Sequence, residues 1–265
     1  MRYKKFIFDN ECIFDNKNDT LIFPFQEEYI EYQDWIINNP NDYTLLVSNT
    51  QSDSNWQGLL EEIHEVRKDI FHRKLYYKDY TLWVESEVKL LPNQDYQPHG
   101  LQTTYYKSGR TLSTEYFRQG VKSGEYFGYS DMDDSLPTIN GFYDNGNKVG
   151  DWTYYFYDSD VIQVKEKYSV GGVIIKKTEY DTKGSELKIQ NYRDGKLNGL
   201  YKDSHGNDEL RCRGNMKDGL MDGLWSFYYI DGSPEYQIKF DNGVPIGRLQ
   251  YFAMDGKVMW EKEVI

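Results

Sequence analysis

The sequence predicts an α+β protein in which a small N-terminal α+β cap precedes an elongated antiparallel β-sheet of stacked hairpin repeats. Three observations predict this fold class. A glycine-centred phrase returns about every 24 residues after Gly100, an aromatic-rich run follows each copy, and residues 1–96 show helical spacing without that period. Self-similarity at a fixed period of this length is typical of stacked repeats.

The repeated phrase has its clearest copy at 240–247, where an aromatic residue precedes Asp-Asn-Gly and a second glycine follows four residues later. The position of the second glycine recurs at steps of 24, 26, 25, 24, 24 and 24 residues, at Gly100, Gly124, Gly150, Ile175, Gly199, Gly223 and Gly247. Aromatic runs bounded by Asn-Gly or Asp-Gly predict strands joined by tight turns. Because a lone hairpin is barely stable in water, the units are expected to stack edge to edge.

This phrase resembles the MORN repeat, in the variant carried by many bacterial proteins of the antitoxin or immunity type. The resemblance covers residues 97–265 in about seven units, with departures at the insertion 131–137, at Ile175 and at Met216. It implies a single-layer run of antiparallel hairpins whose exposed face or edge holds a partner. A repeat scaffold hosts many binding functions, so the resemblance predicts the fold more closely than the function.

The N-terminal residues 1–96 are predicted to form the cap domain, and residues 97–265 the repeat domain. One amphipathic helix is predicted after Pro24, and a second is predicted from Ser54, with apolar residues at Leu59, Ile63, Val66 and Ile70. Strands are predicted at 3–8, 43–47 and 81–91. The last of these strands is expected to begin the repeat sheet.

The charge balance favours a basic protein as partner. The chain carries 31 Lys and Arg against 43 Asp and Glu, a formal net charge of -12. Nucleic acid and anionic lipid are therefore disfavoured as ligands, because their phosphates repel an acidic protein. Cys12 and Cys212 form no metal-binding spacing, and no apolar run of 18 residues predicts a membrane span. A soluble, cytoplasmic protein is expected.

Motifs that carry chemistry are weak or missing in the sequence. The histidines His64, His72, His99 and His205 lie in no recognised ligand spacing, and no phosphate-binding, zinc-protease or nucleophile-elbow motif occurs. The run 131–135 briefly resembles a calcium loop, but Leu136 and Phe142 occupy the positions that need glycine and glutamate. We therefore expect no enzyme activity, no cofactor and no metal.

The leading hypothesis is a module that binds a cognate, basic toxin and neutralises it by occlusion, as the resemblance implies. Candidate contact residues are the cap acids, the acids of the insertion and two aromatic pairs: Glu27, Glu28, Glu31, Asp34, Asp131, Asp133, Asp134, Trp152, Tyr154, Trp225 and Phe227. The aromatic pairs are most simply interpreted as the apolar layer that holds the hairpins together, and one aromatic row as an exposed binding strip is the alternative. Two alternatives stay open, a scaffold for membrane docking or assembly and a carbohydrate-binding aromatic strip.

Overall fold

The structure, a computed structural model, describes residues 2–6, 13–15, 20–22, 43–47, 60–77, 81–92, 95–157, 159–206 and 208–264. The chain divides into two compact units, Met1–Lys122 (unit 1) and Ser123–Ile265 (unit 2). All regular structure in the described ranges is β-strand. None of the described segments is a helix with the length and apolar character needed to cross a membrane.

The described residues of unit 1 form nine strands. They are β1 (Arg2–Phe6), β2 (Ile13–Asp15), β3 (Thr20–Ile22), β4 (Tyr43–Val47), β5 (Leu60–Arg67), β6 (Ile70–Tyr76), β7 (Leu82–Leu90), β8 (Tyr96–Tyr105) and β9 (Thr111–Arg118). Strand β1 lies between β4, which runs parallel to it, and β5, which runs antiparallel. From β5 to β9 each strand pairs antiparallel with the next, while β2 and β3 form a separate hairpin.

The small core of unit 1 lies between β5, β6 and β7. Ile63, Phe71 and Val88 are buried together, with Leu90 and Tyr96 packed against them. The Phe71 and Tyr96 rings meet edge to face with centroids 5.5 Å apart, an arrangement that aromatic pairs prefer.

The helix predicted from Ser54 is wrong over residues 60–70, which form β5 and the start of β6. Ile63 and Ile70 are buried, but Val66 between them is 58% exposed, so the three do not share a helical stripe. Lys68 and Asp69 instead make a tight turn, in which Asp69 has a positive φ of 62°. Cross-strand pairing to β6 outweighs the helical spacing, because that spacing is a weak signal in a short segment.

The other predictions for the cap have mixed outcomes. The strands predicted at 43–47 and 81–91 are confirmed as β4 and β7, and the strand predicted at 3–8 is confirmed over its described residues 3–6 as β1. The last of them pairs antiparallel with β8, the first strand of the repeat region. The helix predicted after Pro24 lies outside the described residues.

Unit 2 holds the strands that follow. They are β10 (Val121–Tyr129, whose first two residues belong to unit 1), β11 (Pro137–Asp144), β12 (Asn147–Tyr155), β13 (Ile162–Tyr168), β14 (Ile174–Tyr180), β15 (Glu186–Arg193), β16 (Lys196–Ser204), β17 (Leu210–Lys217), β18 (Leu220–Tyr228), β19 (Pro234–Asp241), β20 (Val244–Phe252) and β21 (Val258–Val264). Each pairs antiparallel with the next along the chain. The predicted succession of antiparallel hairpins is therefore confirmed for this unit.

Two-residue turns join β11 to β12, β15 to β16, β17 to β18 and β19 to β20, as the Asn-Gly and Asp-Gly pairs predict. At Asn145, Asp194, Asp218 and Asn242 the first turn residue has φ between 46° and 52°, and a glycine with positive φ follows each one. Two consecutive positive φ angles define the type I′ turn, whose twist matches that of the flanking strands.

The second glycine of the phrase lies within a strand and not in a turn. Gly150 has φ 66° in the middle of β12, at a register shift where three residues, 150 to 152, face Gly141 alone. Gly223 has φ 75° and does the same in β18 opposite Gly214. These positions are β-bulges that use a glycine at positive φ. In these two copies of the phrase the second glycine therefore marks a bulge, and a tryptophan follows two residues further on.

Candidate binding surface

The aromatic pairs singled out in the sequence lie on one face of unit 2. Trp152 and Tyr154 have the same parity in β12, and Trp225 and Phe227 have the same parity in β18. Residues of one parity point to one side of a strand. Trp152 and Trp225 are each only 1% exposed, whereas Tyr154 and Phe227 are half-buried. The tryptophans are therefore the floor of this aromatic face.

The Trp152 site depends on a glycine in the neighbouring strand. The indole ring lies directly over Gly141, where any Cβ would overlap it. Its Nε1 donates a hydrogen bond to the Phe142 carbonyl at 3.2 Å. The Tyr126 and Tyr143 rings contact it with centroids at 5.6 and 4.9 Å. Three strands, β10, β11 and β12, thus contribute to one buried ring.

A charged network covers the Trp152 ring. Lys148 Nζ lies 4.3 Å from the centroid of the Trp152 ring and is 2.6 Å from the Tyr154 hydroxyl. The hydroxyls of Tyr154 and Tyr168 donate to Glu166 Oε2 at 2.9 and 2.8 Å. Burial, and then the hydrogen bond to Glu166, raise the pKa of both tyrosines. They stay protonated, and the Trp152 site is filled by its own side chains.

The Trp225 site has the same arrangement of a tryptophan ring over a glycine, with apolar side chains around it. The indole lies over Gly214, and its Nε1 donates to the Asn215 carbonyl at 3.0 Å. Tyr201 contacts the ring with centroids 5.6 Å apart, and Phe227 does so at 6.1 Å. No lysine takes the place that Lys148 has in the first site, since the corresponding residue is Met221.

A groove of about 360 Å³ opens at the Trp225 site. Its lining consists of apolar and aromatic side chains with a single cation, namely Leu197, Tyr201, Arg211, Cys212, Met216, Met221, Trp225 and Phe227. Cys212 is buried in the wall, and this burial, followed by the charge of Asp203, raises the pKa of its thiol. Because a thiol with a raised pKa is a poor nucleophile, the groove is suited to binding and not to thiolate chemistry.

Arg211 is the charged group of the groove. Its Nη2 is paired with Asp203, whose side chain is 11% exposed, while the Arg211 side chain is 56% exposed. The hydrogen bond and charge of Asp203 raise the pKa of the guanidinium. A guanidinium carries several N–H donors in a fixed fork. The pairing with Asp203 therefore holds the head group in place and leaves further donors accessible to solvent.

A ladder of stacked rings crosses the last four strands from the groove. Phe227 and Tyr236 stack with centroids 4.3 Å apart, Tyr236 and Tyr251 lie 5.3 Å apart, and Tyr251 stacks on Trp260 at 4.3 Å. These are directly opposed cross-strand pairs. Each inner ring has its faces against its neighbours, so the ladder presents ring edges to solvent.

The turns that follow β10, β12, β14, β16, β18 and β20, called the longer turns, lie at one edge of unit 2, because alternate turns of an antiparallel sheet share an edge. They carry an excess of acidic side chains, Asp131, Asp133, Asp134, Asp160, Asp181, Asp208, Glu209, Asp231 and Asp255, against Lys183 and Lys257. Large apolar residues at the same turns are strongly exposed, Met132 (64%), Tyr157 (60%), Ile230 (66%) and Met254 (76%). At the other edge the turn residues include two acids, Asp194 and Asp218, and the five-residue turn between β13 and β14 carries no charge.

Comparisons with protein families, curated sequences and solved structures do not indicate a function for this chain. No protein-family model and no curated protein sequence matches this chain. Among solved structures, a mutant of the S. aureus protein TarM in complex with fondaparinux, an α-GlcNAc-glycerol and UDP is similar at 10% identity, with a TM-score of 0.17. The match covers 74% of this chain and 40% of that one. A likeness at this score carries no argument about function.

The structure separates the predicted contact residues into three groups. Glu27, Glu28, Glu31 and Asp34 lie outside the described residues. Asp131 and Asp133 are exposed in the turn between β10 and β11, and Asp134 is half-exposed beside them. The two aromatic pairs are packed in the face described above, where the contacts seen are those that hold the hairpins together. Their contact with a partner remains a prediction.

Several residues of this surface were missed by the sequence interpretation. Gly141 and Gly214 belong to no turn, yet each precedes its tryptophan by eleven residues, a spacing visible in the sequence. Lys148 and Glu166 gave no signal, because their pairing depends on strand register. In the described ranges no group of three or more His, Cys, Asp or Glu side chains is arranged to hold a metal ion.

Proposed function

We propose that this chain is a protein-binding module of the immunity or antitoxin type, which neutralises a basic toxin by covering it. The observation that carries the proposal is the aromatic face of unit 2, on which an apolar groove lies beside a ladder of ring edges. Large apolar and aromatic groups at a concave site are the usual centre of a protein interface. The likeness of the repeated phrase to immunity-type proteins supports the same class of function.

The charge distribution favours a basic partner. The net charge is -12, and the longer turns place nine described acidic side chains at one edge of unit 2. Three of these acids, Asp181, Asp231 and Asp255, have a pKa held below the usual value, chiefly by hydrogen bonds from residues of their own turns, Ser185, Ser233 and Lys257. They stay charged in mild acid. Such a field speeds the encounter with a cationic protein.

The proposal includes a cytoplasmic location and no catalytic role. Cys212 is a free, buried thiol, as is common in a reducing compartment. The groove carries a cation already paired with Asp203 and a thiol of raised pKa, which are binding and packing groups.

Co-expression with each neighbouring reading frame tests the proposal. We expect one such frame to encode a basic protein that stops growth alone, and this chain to restore growth and co-purify with it. The association rate should fall steeply between low and physiological salt, because electrostatic steering is screened. If none of the neighbouring frames is toxic, or none is rescued, the immunity function is wrong.

The carbohydrate-binding alternative has weaker support in the geometry. Sugars stack on the open faces of aromatic rings, whereas Tyr236 and Tyr251 have their faces covered by neighbouring rings. Trp260, at 45% exposure, is the ring of the ladder with most free surface. A glycan array in which a Trp260→Ala variant loses binding would restore this alternative.

A further inference from the structure

The two tryptophan sites of unit 2 are copies of one design, related by a shift of 73 residues. Gly141 and Trp152 in the first site correspond to Gly214 and Trp225 in the second. In both sites the indole covers the glycine and donates to the carbonyl of the residue after it. Each site is therefore a reference for the other, because the backbone geometry is shared and only the surrounding side chains differ.

The side chains above the two tryptophans differ in kind. In the first site Lys148 places its ammonium group over the Trp152 ring, and the Tyr143 ring packs against it at 4.9 Å. The corresponding residues of the second site are Met221 and Met216, and both line the open groove. The second site thus has an opening where the first has an internal plug.

Methionine suits a surface that must accommodate an incoming group. Its side chain is unbranched and its sulfur is polarizable, so it adapts to the shape of an apolar partner. A volume of about 360 Å³ exceeds that of one large apolar side chain and approaches that of a dipeptide. An incoming side chain would bury apolar lining that is otherwise in contact with water.

At the rim of the groove, Arg211 places a positive charge at a position that is neutral in the first site. Arg211 corresponds to Thr138, a neutral residue whose hydroxyl donates to the Gly128 carbonyl. The Arg211 guanidinium is oriented by Asp203 and remains 56% exposed. An oriented guanidinium beside an apolar groove is complementary to a carboxylate next to an apolar group.

We propose that the groove is the anchor point of this module, where a leucine-like or phenylalanine-like side chain of the partner protein inserts over Trp225 and an adjacent carboxylate binds Arg211. This inference rests on the proposed protein-binding function. It adds a local preference for an apolar-acidic pair on a partner whose overall charge is positive. The partner's basic surface would face the acidic turns, while the anchor itself carries the opposite charge.

Methyl NMR of the full chain labelled at methionine tests the anchor. The probe is the peptide acetyl-Leu-Glu-amide, and the matched peptide is acetyl-Leu-Lys-amide. We expect the Met216 and Met221 methyl signals to shift with the first peptide at about millimolar concentration, as suits a single anchor. The second peptide should bind more weakly, by about tenfold.

The Met221→Lys variant introduces the lysine of the first site at the corresponding position of the second, so the lysine side chain should cover the Trp225 ring and narrow the groove. We expect the Met216 shift on adding the Leu-Glu peptide to fall by about tenfold or more. The matched control is Met254→Lys, the same change at a residue that is 76% exposed and outside the groove, which should leave peptide binding intact. Should Met221→Lys fail to fold, Met216→Tyr introduces the other plugging side chain of the first site.

The outcomes separate this inference from the proposed function. Peptide shifts that persist in both plugged variants, or shifts of equal size with the two peptides, would overturn the anchor. Binding of decanoate without binding of either peptide would assign the groove to small amphiphiles and also overturn it. If a toxin complex forms equally well with Met221→Lys, the binding function stands and the anchor does not.

Discussion

At the scale of single residues, Gly141 and Gly214 contribute as much to packing as the tryptophans that cover them. Gly141 and Gly214 leave the space that Trp152 and Trp225 fill, and each tryptophan is 1% exposed although it lies on an open sheet. A ring of this size buries a large apolar area only if the strand beside it offers room. The Gly-Trp pair therefore stabilises adjacent strands in a way that neither residue alone could.

We expect Gly214→Ala to destabilise the protein by about 1–3 kcal/mol, because the new Cβ overlaps the Trp225 ring. Urea unfolding followed by circular dichroism measures the change. Gly171→Ala is the matched control, since a Cβ there meets only Ser169 Oγ, at 3.9 Å, and it should change stability by less than about 0.5 kcal/mol. Equal effects of the two substitutions would contradict the packing role of Gly214.

Glu85 in unit 1 gives a prediction about pH. Its carboxylate is 3.3 Å from Lys74 Nζ, 3.0 Å from His72 Nε2, and accepts a hydrogen bond from the Tyr105 hydroxyl at 3.1 Å. Burial raises the pKa of Glu85, but the hydrogen bond and charge of Lys74, helped by Tyr105 and His72, more than offset it and hold the pKa below the usual 4.5. The ionised form is therefore favoured by folding.

A carboxyl whose pKa is lower in the folded state contributes stability above its unfolded pKa and loses it as pH falls through its folded pKa. We expect Glu85→Gln to lower the free energy of unfolding at pH 7, and the difference from the wild type to shrink as pH falls below 4.5. Chemical denaturation at a series of pH values measures it. In a Lys74→Met background, the loss of unfolding free energy caused by Glu85→Gln should be smaller at every pH. A loss that grows as the pH falls would contradict the stabilising role of the ionised Glu85 carboxylate.

At the scale of strands, the aromatic ladder joins four neighbouring strands through contacts between their rings. Phe227, Tyr236, Tyr251 and Trp260 stand on consecutive strands at directly opposed positions. Cross-strand pairs of this kind are the unit of sheet stabilisation. The bulge at Gly247 belongs to the pairing of β19 with β20, in which Tyr236 faces Tyr251.

A double-mutant cycle on Phe227→Leu and Tyr236→Leu tests the ladder. The two rings stack at 4.3 Å, and we expect a coupling energy of about 0.5–1.5 kcal/mol in the free energy of unfolding. As a comparison pair on separated strands, Phe227→Leu with Trp260→Leu should be additive within about 0.5 kcal/mol. A coupling near zero for the first pair would show that the stacking adds nothing beyond burial.

At the scale of the whole molecule, charge decides which classes of partner are accessible. The net charge is -12, and residues 123–265 alone hold 24 acidic against 17 basic side chains. Polyanions are repelled by such a net charge.

We therefore expect no flotation with liposomes of mixed phosphatidylcholine and phosphatidylserine, even at low salt, where electrostatic attraction is strongest. Neutral phosphatidylcholine liposomes are the control for attraction that does not depend on charge. Binding to the anionic vesicles alone would favour the membrane-docking scaffold over the toxin-binding module.

Much of unit 2 was predictable because its signals are local. The Asn-Gly and Asp-Gly pairs select tight turns through the φ angles of the turn residues themselves, and Asn145 and Asn242 adopt them. The segment 60–70 was predicted wrongly for the opposite reason. Its apolar residues fit a helical interval, but the partner strand that decides the matter begins only at Ile70.

By itself, the sequence determined the 24-residue period, the run of hairpins and the acidic charge, because turn preference, strand preference and charge belong to the residues and their neighbours. Only the tertiary structure decided that one tryptophan is covered by Lys148 while the other lies beneath an open groove. That difference arises from side chains on adjacent strands, and the register that places them depends on bulges and packing. Such contacts join residues far apart in the chain, which no local pattern specifies.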